Sequence, residues 1–360
     1  MFIRVGRARP RALRIGVATG ASFLAICGIA AQQTFAGEPA SVTARVHNGT
    51  LQITGTAGAD KLSLRLDPGQ PNVLDVDVNE DGTTDFSFDR STFGAINVQA
   101  GAGDDQIRID ESEGAFTDDV ITIAGGAGGD TLTGGSESDV LDGGVGDDVL
   151  RGGDGDDVLI GGSGNDQVDG GRGSDTASLG SGDDRFTWDP GDGSDAVDGG
   201  AGNDALVFDG SNAPERMELS ADSSHVRLFR DVGDVTMDLS TIETANVNAS
   251  GAADTITVDD LTGTGLRTAA LDLGATPGGP GDGQPDTVIV NGTDHADHVR
   301  LSSTPRNVLV SGLAPQVQIT GAEPTNDTLH INTLAGDDTV SVGSAVSGVI
   351  TPIIDLGDGQ

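Results

Sequence analysis

"GGVGDDVLRGGDGDDVLIGGSGND", residues 143–166, repeats one phrase about every nine residues: two glycines, a variable residue, usually a glycine, one residue more, an aspartate, then an aliphatic residue. Set in register from Gly125, the chain reads GGAGGDTLT, GGSESDVLD, GGVGDDVLR, GGDGDDVLI, GGSGNDQVD, GGRGSDTAS and LGSGDDRFT without a gap. Two residues of slippage follow in "WDPGDGSDAVD", and GGAGNDALV closes the array at Val207. The sixth positions are Asp130, Asp139, Asp148, Asp157, Asp166, Asp175, Asp184, Asp195 and Asp204. The eighth positions are Leu132, Leu141, Leu150, Leu159, Val168, Ala177, Phe186, Val197 and Leu206.

Composition says what such a chain is not. It has 360 residues, 57 of them glycine, with 57 acidic against 19 basic side chains, a net charge of −38 and 3% aromatics. Large apolar side chains are too scarce for an ordinary globular core of this length. High charge with low hydrophobicity leads to disorder unless something neutralises the carboxylates. A polyanion also repels phosphate, which excludes nucleic acid as a partner. The ordered solution left open is a repeat architecture that binds cations.

The residue types of the unit supply the chemistry. Glycines at positions one, two and four open backbone angles closed to other residues, so six residues can form a tight turn with its carbonyls on one side. The last three residues make a short strand in which the eighth side chain faces inward. Stacked strands bury a thin aliphatic column, and stacked turns line an edge with aspartates and carbonyl oxygens. Oxygen ligands without sulfur or imidazole suit a hard cation of flexible coordination, calcium before magnesium.

The array resembles the RTX, or haemolysin-type, calcium-binding nonapeptide repeats, G-G-x-G-x-D-x-U-x. The resemblance implies an all-β fold, a right-handed parallel β-roll over 125–207 in which two nonapeptides make one turn. It also implies calcium held between turns two repeats apart. The ligating pairs would be Asp130 with Asp148, Asp139 with Asp157, Asp148 with Asp166, Asp157 with Asp175 and Asp166 with Asp184. Asp175 with Asp195 and Asp184 with Asp204 would join them if a loop absorbs the slippage. Glu137 in place of the position-four glycine and Leu179 in place of a first glycine put their local turns in question. The fifth-position Asp147, Asp156 and Asp183 are expected to face solvent and add negative potential without ligating.

The flanks, 37–124 and 208–360, share the grammar less regularly. Segments such as "GTAGADKLSL", "AGAGDDQIRI", "SGAADTITV", "GQPDTVIV" and "LAGDDTVSV" place an aliphatic residue two after an aspartate. They read as degenerate rungs of a β-solenoid, or as β-rich modules stacked on the ends of the roll. Asp60, Asp105, Asp254, Asp297 and Asp338, being unphased, are expected to serve structural turns before calcium. "HVRLFRDVGDVTMDL" alternates as strand does. "LDLGATPGGPGDGQPDTVIV" from Leu271 is begun again as "IDLGDGQ" at 354–360.

The first 36 residues pose a separate problem. Five arginines without an acid precede an uncharged apolar run from Ile15 to Ala31, then "TFA" offers a cleavage site before Gly37. This is the pattern of a secretory signal peptide, with an uncleaved anchor as the alternative. Cleavage removes Cys27, the single cysteine, so the mature chain has neither disulfide nor thiol chemistry. No H-E-x-x-H, G-x-S-x-G or P-loop is present. Of the five histidines, His295 and His298 in "HADH" stand within chelating reach and read as turn residues. The expectation is a secreted, extracellular, non-enzymatic calcium-binding protein with no stable membrane span. Its alternatives are a surface adhesin or wall-associated protein that engages cell surfaces or glycans, and a calcium-dependent hydrolase or epimerase.

Overall fold

The computed structural model describes residues 41–117 and 119–357; the expected signal segment lies outside the described residues. The chain is all-β, laid into two sheets of 15 strands each. Consecutive repeats alternate between the sheets: Val140–Val145 and Val158–Ser163 belong to one, Val149–Asp154 and Gln167–Arg172 to the other. Within a sheet they pair in parallel, Leu141 against Leu159 and Leu150 against Val168, so each turn of the coil consumes 18 residues, two nonapeptides.

Every eighth position is buried, from Leu132 through Leu206, none more than 2% exposed. The strands are longer than the three residues expected. Most run six, from position seven through position three of the next repeat, as in Val158–Ser163, VLIGGS, whereas Thr131–Thr133 has three and Arg185–Trp188 four. The first glycine is therefore a strand residue facing inward, and the tight turn is confined to positions four to six.

The two-residue slippage is taken up between the strands Arg185–Trp188 and Ala196–Ala201. Thr176 pairs with Ala196 and Arg185 with Ala205, after which the parallel register resumes. Trp188 is buried there, stacked on Phe208 with ring centroids 4.2 Å apart, and its indole N–H donates to the Gly193 carbonyl at 2.8 Å. These two aromatics stand on inward positions that the array fills with glycine. Beyond them the strands carry two inward aliphatics each, as with Val288 and Val290 or Leu329 and Ile331. The core is one aliphatic layer thick per strand in the array and two in the flanks.

The flanks are rungs of the same two sheets, with antiparallel insertions that periodicity did not indicate. "HVRLFRDVGDVTMDL" forms His225–Arg230 and Val235–Ser240, the second and third strands of a meander begun by Arg216–Asp222. A similar meander joins His298–Thr304, Asn307–Ser311 and Gln316–Thr320, and another joins Lys61–Asp67, Gln70–Val78 and Phe86–Asp89. Among the described residues no helix is long and apolar enough to cross a membrane.

Because the array's core is so thin, each inward aliphatic matters. Leu159→Ala is expected to lower stability of the calcium-loaded protein by about 2–5 kcal/mol, the range for truncating a buried leucine. Val145→Ala, at a residue 61% exposed, should stay within about 0.5 kcal/mol. Denaturant titration of both variants checks this; equal losses would contradict the inward assignment.

Candidate metal centre

The nine sixth-position aspartates are all buried, at 0–3% exposure. They lie in two columns, one at the entrance to each sheet, and the columns are hydrogen-bonded from turn to turn. The main-chain N–H of Asp130 donates to Oδ1 of Asp148 at 2.7 Å, that of Asp148 to Asp166 at 2.9 Å, and that of Asp166 to Asp184 at 2.8 Å. Asp139, Asp157 and Asp175 donate in the same way to Asp157, Asp175 and Asp195. Asp184 donates to Asp204 at 2.9 Å across the slippage. All seven pairs expected of the register are thus neighbours in the structure. The first column also extends outward, from Asp60 through Asp105 to Asp130 on one side and from Asp204 to Glu243 on the other.

Asp139 apart, one oxygen of each carboxylate serves this ladder. The other, Oδ2 of Asp130, Asp148, Asp157, Asp166, Asp175, Asp184 and Asp204, is buried with no hydrogen-bond partner among the described residues. A buried carboxylate oxygen without a partner is costly, and structures rarely leave one in that condition without an ion or a proton. Its immediate surroundings are also oxygen-rich. A Cβ on Gly152 would collide with Oδ2 of Asp157 and the carbonyl of Gly170, and one on Gly143 with Oδ2 of Asp148 and the carbonyl of Gly161. The first glycine is thus required because its missing side chain makes room for its own repeat's carboxylate beside the next turn's carbonyl. Among the described residues no three His, Cys, Asp or Glu side chains form a metal-binding group. A cation here would draw on two carboxylates and main-chain carbonyls, a donor set suited to calcium.

Glycines two and four shape the turn by adopting left-handed backbone, as at Gly144 (φ 104°) and Gly146 (φ 136°). The two departures from consensus come out differently. The turn following Leu179 keeps this pattern at Gly180 and Gly182, with Leu179 itself buried in the core. The turn containing Glu137 has no left-handed residue at positions two and four. There the carboxylate of Asp139 bends back onto its own turn, Oδ2 accepting the Gly135 N–H at 2.6 Å, and Oδ1 is the oxygen left without a partner.

The fifth positions do more than face solvent. Asp147, Asp156 and Asp183 are exposed, yet each carboxylate accepts the position-five N–H of the following turn, from Asn165 at 2.7 Å, Ser174 at 2.9 Å and Asn203 at 2.9 Å. This outer ladder runs opposite to the inner one, and Asn165 continues it by accepting from Asp183. The recurrence of Asp, Asn and Ser at position five was the available signal. His295 and His298 stay apart from the columns: His295 lies in a turn, and the His298 ring is 2.8 Å from the Thr339 hydroxyl.

Burial is the main force on the inner carboxylates and pushes their pKa values up, to about 6 for Asp130, Asp139, Asp175 and Asp204, about 7 for Asp148 and about 8 for Asp157 and Asp195. Neighbouring acids add to the shift: Asp139, Asp175 and the bystander Asp156 all raise Asp157. A carboxyl whose pKa is higher folded than unfolded binds its proton more tightly in the native state. Its stabilising contribution is complete below the unfolded value of about 3.9 and is lost as pH rises through the folded one. The calcium-free fold should accordingly lose stability between pH 5 and 8, approximate limits taken from the cited shifts. Thermal unfolding in chelator across that interval measures it, and a transition that rises with pH would contradict the buried, unneutralised columns.

Comparison with known protein families agrees with this geometry. Residues 122–150, 151–186 and 191–212 match the family model described as RTX calcium-binding nonapeptide repeat (4 copies). No curated protein matches the chain.

Proposed function

We propose that this segment of RTX repeats, and with it a calcium-binding repeat protein, uses calcium as its folding cofactor outside the cell and carries out no catalysis of its own. The observation that supports this best is the regular series of buried carboxylate oxygens without partners, those of Asp130, Asp148, Asp157, Asp166 and Asp204 lying where a first-glycine Cβ would also meet a main-chain carbonyl of the next turn. The ligands assigned are Asp130, Asp139, Asp148, Asp157, Asp166, Asp175, Asp184, Asp195 and Asp204, acting in the pairs that the inner ladder connects. Calcium supplies the positive charge that lets a stack of buried carboxylates remain ionised at neutral pH.

Each residue of the repeat then has a role in holding the ion. The sixth carboxylate gives one oxygen to the preceding turn and offers the other to calcium. The first glycine leaves the room, the second and fourth turn the carbonyls, and the eighth residue anchors the turn to the core. Because these donors converge only when turns stack, binding and folding are one event. An affinity of roughly 10⁻⁴ to 10⁻³ M is sufficient for an extracellular module, so the chain stays loose where calcium is scarce and sets after export. Export through the arginine-rich start and the "TFA" site fits that sequence of events. The mature protein is expected to begin at Gly37, and N-terminal sequencing of secreted material checks this; intact 1–36 in a membrane fraction would indicate an anchor.

Calcium titration followed by circular dichroism and calorimetry tests the function itself. Asp157 serves two turns, so Asp157→Asn is expected to reduce bound calcium by about one or two ions and move the folding midpoint to higher calcium. Asp156→Asn keeps the outer hydrogen bond to Ser174 and should change both far less. Equal effects would overturn the register, and a parent chain that binds no calcium would overturn the function.

A further inference from the structure

The buried acids continue past the matched repeats. In the C-terminal flank Glu215, Asp254, Asp286 and Asp327, each about 2% exposed, form a ladder of their own. The N–H of Glu215 donates to Oδ1 of Asp254 at 2.8 Å, that of Asp254 to Oδ1 of Asp286 at 2.9 Å, and that of Asp286 to Oδ1 of Asp327 at 3.0 Å. We propose that Asp254 and Asp286 hold a further calcium ion in this flank, outside the nonapeptide array.

Three observations single out this pair. Oδ2 of Asp254 and Oδ2 of Asp286 are both buried without a hydrogen-bond partner among the described residues, the condition of the array's ligands. The next acid in line differs, since Oδ2 of Asp327 accepts the Glu323 N–H at 2.6 Å and Oδ1 the Asp286 N–H, so both its oxygens are already hydrogen-bonded. Asp297 is likewise closed, with Oδ2 on the Thr293 N–H at 2.8 Å.

The turn before Asp254 is the second observation. Ser250 (φ 67°) and Ala252 (φ 139°) occupy the left-handed conformations that glycines hold four and two residues before most of the array aspartates, as Gly144 and Gly146 do before Asp148. An array-type turn is therefore built here from residues that disfavour it. Ala249 and Gly281, five residues before the two acids, stand where the array has its first glycine.

Charge is the third. The carboxylate of Asp282 sits against the same turn, accepting the Ala252 N–H at 3.0 Å, and adds a negative charge close to both acids. Burial foremost, with neighbouring acids, raises Asp254 to about 6 and Asp286 to about 7. Arg230, the guanidinium beside this group, is already committed to Glu215, to the Val232 carbonyl at 3.0 Å and to the face of Trp188. A hard divalent cation is the remaining partner for two neighbouring buried carboxylates whose Oδ2 atoms have no hydrogen-bond partner among the described residues.

The identity of the ion rests on the calcium reading of the array; the site does not. Equilibrium dialysis of the full mature chain against calcium, joined to hydrogen–deuterium exchange, tests the two separately. Asp286→Asn is expected to bind about one ion fewer than the parent. It should also lose calcium-dependent protection in peptides covering 249–258 and 281–290, while protection across 143–186 is kept. Asp327→Asn, equally buried in the same ladder, is the control for a merely structural effect and should retain the parent's count. The inference is overturned if Asp286→Asn binds as many ions as the parent, or if Asp327→Asn loses as many as Asp286→Asn. It is overturned as well if calcium protects 143–186 but neither flank peptide, a result that leaves the array's function standing. A parent that binds no calcium would overturn both.

Discussion

Everything in this molecule depends on a carboxylate that faces two ways. The sixth-position aspartates, Asp139 apart, give one oxygen to a main-chain N–H of the neighbouring turn, and seven of the nine leave Oδ2 buried without a partner among the described residues. The first bond sets the spacing of the coil and satisfies a backbone donor that a turn would otherwise strand. The second oxygen creates the need for a cation. In the proposed function, structural link and metal ligand are the same side chain, so neither can change without the other.

The glycines follow from this constraint. Room for an inward carboxylate is obtained by removing the side chain five residues earlier, which halves the apolar wall that each strand of the array could present. A core this thin buries little surface, and apolar burial contributes only about 25 cal/mol per Å². In the proposed function, cation binding supplies what hydrophobic burial does not. In the flanks, where strands carry two inward aliphatics, the fold relies less on that contribution.

Where the acid columns depart from the repeat, arginine is found beside them. Arg90 reaches the buried Asp119 at 2.9 Å ahead of the array, Arg230 pairs with the buried Glu215 at the head of the C-terminal ladder, and Arg267 lies 3.8 Å from Glu243 where the first column leaves the array. A guanidinium is a permanent cation with donors suited to carboxylates.

Strict period made the array legible from residues alone. The 18-residue turn came with the resemblance to RTX repeats, which implied the adjacency of Asp148 to Asp166 that the structure shows. The buried eighth positions followed from the alternation of strand side chains. What spacing could not convey is what one turn does to the next through space. The six-residue strands, the outer ladder from position five, and the different fates of Glu137 and Leu179 all arise from contacts between turns. A glutamate at position four removes a left-handed residue and folds Asp139 onto its own turn, whereas a leucine at position one finds space in the core. The flanks were legible as strand but not as meanders, because turns of unequal length leave no period to read. Their rungs come into register only by pairing with strands far away in sequence, as Thr287 does with Thr328. That pairing, and with it the juxtaposition of Asp254 and Asp286, is decided by the sheet and not by the local residues.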